Sequence, residues 1–259
     1  MGTTTDIDIA ADPKLLFLLA RADDCLIHGH RLSEWCGHAP LMEEDMALAN
    51  IALDLIGQAR GLYSLAAETE NSGRTEDDYA YRRDAMHWRN LLLVEQENGD
   101  FAKTILRLLL HAAFAHPYWR AMTDSADPAL AGIAAKAATE SAYHLRHAAE
   151  WTIRLGDGTA ESQRRAQDAL DSLWILTGEM FEADAAERTM IEARIAIDPA
   201  TLRAPWQATI TSVLDEATLA PPEISRMPIG GRAGRHGEAL GHLLAELQFL
   251  QRTYPGCTW

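Results

Sequence analysis

A chain of 259 residues with 38 acidic and 23 basic side chains carries a formal net charge of −15, and 47% of its residues are hydrophobic. That length can bury a substantial core in one domain without covalent staples. The charge opposes docking on nucleic acid or on an anionic membrane, and no apolar run approaches the roughly 20 residues that cross a bilayer.

Cys25, Cys36 and Cys257 form no CxxC pair and no metal-ligand spacing, so reduced thiols are expected. Residues 1–13 lack the basic and apolar regions of a secretory leader, which predicts a cytoplasmic protein. Residues 1–12 read as a disordered tail, and 200–259 as a helical extension of a single domain covering 1–259.

Ala, Leu, Glu and Arg dominate the long segments, and these are strong helix formers. A first helix is predicted over 12–35, with Asp12 as cap, Pro13 in the first turn and an apolar stripe through Leu15, Leu19, Ala22 and Leu26. A second is predicted over 43–68, with acidic residues in its first turn. Its apolar residues fall on every side, which predicts burial on every side; its polar interruptions Asn50, Asp54 and Gln58 recur every four residues and form one line.

A shorter helix is predicted over 79–94, and an almost wholly apolar one over 101–119, capped by Asp100 and stopped or kinked near Pro117. Further helices are predicted over 128–155, 161–186 and 202–217, and a last one ends near Thr253. Four long helices with short turns make an all-α antiparallel four-helix bundle with additional helices. Two helices that are apolar all round need enclosure by several neighbouring elements.

At 100° per residue, Ile133, Ala137, Glu140, His144, His147 and Trp151 share one sector of roughly 80°. Asp54 and Gln58 repeat the four-residue spacing of Glu140 and His144. The pattern is close to a carboxylate-bridged dimetal bundle, in which two helices each give a Glu and two give Glu-x-x-His.

The ligand count falls short. Asp54 is followed by Leu55-Ile56-Gly57 with no imidazole, and Glu140 by Ser141-Ala142-Tyr143, with Tyr143 where the imidazole belongs. His144 comes one residue late. Between Phe101 and Trp119 there is no carboxylate, only His111 as a midway ligand type. Two readings follow: a buried polar network of Asp54, Glu140, His144 and His147, which the missing ligands favour, or an atypical metal site built from these residues and Gln58.

The residues also carry a resemblance. Leu32-Ser33-Glu34-Trp35-Cys36-Gly37-His38-Ala39-Pro40, the run Asn50-Ile51-Ala52-Leu53-Asp54-Leu55-Ile56-Gly57-Gln58-Ala59-Arg60, Asn98-Gly99-Asp100-Phe101-Ala102, Tyr143-His144-Leu145-Arg146-His147 and Gly230-Gly231-Arg232 closely resemble the C subunits of phenylacetyl-CoA epoxidases. The resemblance covers 15–259. It implies a ferritin-like fold and a place in a bacterial multicomponent monooxygenase of aerobic phenylacetate catabolism. The di-iron centre is then expected in a catalytic A subunit, with no cofactor, metal ligand or catalytic residue in this chain. The C subunit looks like a paralogue of the A subunit that lost its metal and supports it, alongside the other epoxidase components. Asp54, Gln58, Glu140, Tyr143, His144 and His147 would then be degenerate metal positions. The alternatives are a ferritin-like metalloenzyme with its own atypical site, or a ferritin-like binding protein with no oxygenase partner.

The Gly/Arg-rich segment 230–237 matches neither the dinucleotide fingerprint nor the P-loop. It reads as a solvated connector, or as a partner or anion contact through Arg232, Arg235 and His236.

Overall fold

A computed structural model describes residues 6–7, 9–224 and 227–257. Among them are ten α-helices, four short 3-10 turns and no strand. The helix starts follow local chemistry. Asp12 accepts from the Leu15 amide (2.8 Å) and Pro13 occupies the first turn of α1 (Pro13–Ser33). Acidic Glu43, Glu44 and Asp45 open α2 (Met42–Glu70), and Asn71 in the left-handed region closes it.

A short α3 (Glu76–Tyr81) follows, with a Thr75–Asp78 capping box. Asp100 caps α4 (Phe101–Met122), and Asp127 caps α5 (Pro128–Gly156). Pro117 does not end α4: Tyr118, Trp119 and Met122 beyond it are buried, and their packing outweighs the lost amide.

The four long helices have a readable register. Asp23 meets Tyr63, Cys25 meets Gln58 and Gly29 lies against Ala52, so α1 and α2 run antiparallel. Phe101 meets Trp151 and His116 meets the Ala138 carbonyl, so α4 and α5 do too. His28 touches His111 between α1 and α4, and Gln58 touches Glu140 between α2 and α5. Each long helix therefore has two antiparallel long neighbours.

Three shorter helices, α6 (Ala160–Trp174), α7 (Ala185–Glu192) and α8 (Arg203–Glu216), cover α4, α1 and α5. The Trp206 indole donates to the Leu110 carbonyl (2.9 Å) and anchors α8 on α4. Two C-terminal helices, α9 (Glu238–Leu247) and α10 (Phe249–Thr253), follow the glycine-rich turn. None of the helices is long and apolar enough to cross a membrane among the described residues.

Several expectations are corrected. Residues 1–5 and 8 of the expected tail lie outside the described residues. Of the rest, Asp6 accepts from the Asp84 amide and Ile7 bonds the Arg82 carbonyl, so this stretch is attached to the domain. The helix expected over 79–94 ends at Tyr81, because the following backbone is held by buried side chains from elsewhere. Asp23 takes the Arg89 amide (2.8 Å), Asp24 the Leu91 amide (2.7 Å) and Glu179 the Leu92 amide (3.1 Å).

The helix expected over 161–186 breaks after Trp174, where a 3-10 turn (Gly178–Phe181) intervenes. Gly178 lies so close to Met227 that an added Cβ would sit 2.7 Å from its sulfur. Nor is α2 enclosed on all sides: Met42, Met46 and Leu53 are exposed. The long helix buried round most of its circumference besides α4 is α1.

Candidate functional site

The polar residues read from the sequence line the seam between α2 and α5. At one level Asp54 meets His144, with Oδ2 3.1 Å from Nε2. One turn along, the Gln58 amide donates to Glu140 Oε2 (2.9 Å), and the Lys136 ammonium lies 3.4 Å from the other Glu140 oxygen. The Cys25 thiol lies 3.6 Å from Gln58 Oε1. At the opposite end Glu44 and His147 stand 3.3 Å apart, at ion-pair distance but without hydrogen-bond alignment. Tyr143, one residue before His144, turns outward and stacks on His147 (centroids 6.0 Å apart). The one-residue displacement of the imidazole thus puts Tyr143 at the surface and His144 inside.

Across the bundle, His28 of α1 faces His111 of α4, Nδ1 to Nδ1 at 3.3 Å with the rings nearly perpendicular. One ring donates and the other accepts, which requires both to be neutral or only one charged. Burial pushes His111 down to about 4, and burial with its imidazole neighbour pushes His28 well below the usual value. Burial also lowers His144 against the opposing pull of Asp54, and lowers His147 against that of Glu44. Burial raises the Cys25 thiol far above its ordinary value, so it is no thiolate ligand at neutral pH.

A di-iron centre needs about four carboxylates and two imidazoles converging on one point. Here Glu140 is held by an amide and an ammonium, Asp54 meets an imidazole, and two further imidazoles bond each other. Among the described residues no group of three or more His, Cys, Asp and Glu side chains is placed to hold a metal. The donor set does not fit that cofactor.

His28, Cys25, Lys136 and Glu44 were not singled out in the sequence. His28 had a signal: it sits between Ile27 and Gly29, all buried, one turn after Cys25. Gly29 marks the close crossing, since a Cβ there would lie 3.1 Å from the Ala52 carbonyl oxygen.

The loop reading is corrected for two of its three residues. Arg232 is directed inward, with Nη2 2.6 Å from Asp24 and Nη1 bonding the Ala20 and Arg89 carbonyls. His236 pairs with buried Glu95 (2.7 Å) and bonds the Trp88 carbonyl (3.0 Å). Only Arg235 remains exposed. The segment is a packed plug: at Gly231 a Cβ would lie 2.1 Å from the Asn90 carbonyl oxygen. With Arg83–Asp23–Tyr63, it forms a second buried polar network, which fixes the irregular segment after α3.

A family model described as phenylacetic acid catabolic protein matches residues 2–259. The chain is 47% identical over 243 residues to the C subunit of the 1,2-phenylacetyl-CoA epoxidase from Escherichia coli (strain K12), covering 94% of this chain and 98% of the relative.

Proposed function

The chain belongs to the phenylacetic acid catabolic protein family, and we propose that it is the non-catalytic, structural C subunit of a cytoplasmic 1,2-phenylacetyl-CoA epoxidase. In this reading the four long helices are a ferritin-like bundle that has lost its metal. It stabilises a catalytic A subunit that carries the di-iron centre and works alongside the remaining epoxidase components.

The observation that carries the reading is the pairing of Asp54, Glu140 and His111 within the chain. Glu140 is held by Gln58 and Lys136, Asp54 by His144, and His111 by His28. A ligand set kept for metal leaves its lone pairs converging on a common point; this one spends them on neighbours.

Reconstitution tests it. Turnover of phenylacetyl-CoA by the A subunit with its electron supply should require this chain, and should survive Glu140→Gln and His144→Gln here. Loss of turnover in a folded, assembled variant with intact iron in the A subunit would make the residue catalytic and sink the proposal.

A further inference from the structure

Between α1 and α4 lies a cavity of about 10 Å³, lined by Arg21, Asp24, Cys25, His111, Phe114 and Tyr118 together with Ala115 and Trp119. All of these residues are buried. Two of them carry a buried polar atom with no partner among the described residues: the Tyr118 hydroxyl and Arg21 Nε. The two side chains are neighbours, with Arg21 Cζ 5.2 Å from the Tyr118 ring centroid. His111 adds a third polar group. Its Nδ1 faces His28, whose Nε2 is itself buried and unpartnered. A buried N–H without an acceptor is a rarer defect than an idle lone pair. That assigns the shared proton to His28 Nδ1 and the His111 proton to Nε2, the ring nitrogen left for the cavity.

We propose that this cavity is a binding site for one internal water molecule, held by the Tyr118 hydroxyl, Arg21 Nε and His111 Nε2. The size fits a single water, and three polar groups are the usual complement of a buried one. The surrounding charge argues against an ion. Arg21 stands 3.4 Å from Glu187 and 3.8 Å from Asp24, and Arg232 stands 2.6 Å from Asp24, so two guanidinium groups are set against two carboxylates. A metal cation would meet the arginines and find Asp24 already engaged by Arg232 and the Leu91 amide. An anion would upset the same balance in a space sized for one water. Water leaves the balance untouched: it accepts from the two N–H groups and donates to the Tyr118 oxygen. It then joins α4 to the α1 charge cluster that also anchors the C-terminal plug through Arg232, at little cost relative to a direct bond.

A crystal structure of the full chain at a resolution that shows ordered water, with thermal melts of wild type and the isosteric variant Tyr118→Phe, tests this. The structure should show one spherical density peak about 2.7–3.2 Å from the Tyr118 oxygen and from at least one of Arg21 Nε and His111 Nε2. Flat density in the cavity, a direct bond from the Tyr118 hydroxyl to a protein atom, or a peak that gives an anomalous signal after bromide soaking would each overturn the site. The melts decide independently, by sign. A hydroxyl satisfied by water loses a hydrogen bond on becoming phenylalanine, and the melting temperature should fall. A hydroxyl stranded in a dry cavity costs its desolvation, so removing it leaves the melting temperature level or higher. A Tyr118→Phe variant that melts at or above the wild-type temperature therefore overturns the inference as well.

Discussion

Replacing Asp23 by alanine removes the centre of the network that holds the irregular segment after α3. Asp23 is fully buried and accepts from the Tyr63 hydroxyl (2.5 Å), from Arg83 Nη1 (3.0 Å) and from the Arg89 amide (2.8 Å). Arg83 is itself fully buried beneath the Trp88 ring, so its charge has no route to water. Leaving one member of such a pair uncompensated costs ~3–5 kcal/mol, a large share of the ~5–15 kcal/mol by which whole domains are stable. For a chain of this size the melting temperature should fall by on the order of 10 °C. Urea unfolding followed by circular dichroism measures the free energy directly, and Asp23→Ala/Arg83→Met should cost clearly less than the sum of its two single variants. A loss below about 1 kcal/mol for Asp23→Ala, or strict additivity in the double variant, would refute the role assigned to this pair.

Below pH 6.5 the chain should lose stability. A histidine whose folded pKa is depressed leaves stability intact above the unfolded value and erodes it as pH falls towards the folded one. For His111, pushed to about 4, the full loss is roughly 3 kcal/mol. Urea midpoints at pH 7, 6, 5 and 4 test this; a flat profile, or a slope that His111→Leu leaves unchanged, contradicts it. His236 has the opposite sign: burial opposes its charge, but the Glu95 hydrogen bond and the Trp88 carbonyl raise it overall. Its stabilisation is complete below the unfolded value and fades as pH rises through the folded one, so its NMR titration midpoint should lie above 6.5, and a midpoint below that value would exclude the ion pair with Glu95. Glu140→Ala strands the Gln58 amide and should cost ~1–3 kcal/mol in chemical denaturation; an unchanged unfolding free energy would show that this bond contributes nothing.

The caps of α1 and α4 were legible because Asp12-Pro13 and Asp100 act on amides three residues away or fewer. The segment after Tyr81 was not. Its apolar pattern suits a helix, while the groups that hold its backbone, Asp23, Asp24 and Glu179, lie roughly 65 to 90 residues away in sequence. The polar line through Asp54, Gln58, Glu140 and His144 was readable from four-residue spacing, whereas Tyr143, read at a ligand position, faces outward in the structure. What pairs with Glu140 was not readable across helices, although Lys136, one turn earlier on α5, is a local neighbour. Apolarity around α2 showed that cover is needed without showing whether this chain supplies it. The structure shows that for Met42, Met46 and Leu53 it does not.

The most direct test of the central claim is elemental analysis of this chain purified alone from iron-replete cells, beside the A subunit and the assembled complex. The internal pairing of Asp54, Glu140, His28, His111 and His144 predicts iron far below stoichiometry in the isolated chain, and complex iron that matches the A subunit alone. Iron on the order of two per chain in the isolated protein, retained on gel filtration and lost in Glu140→Ala, would contradict the account.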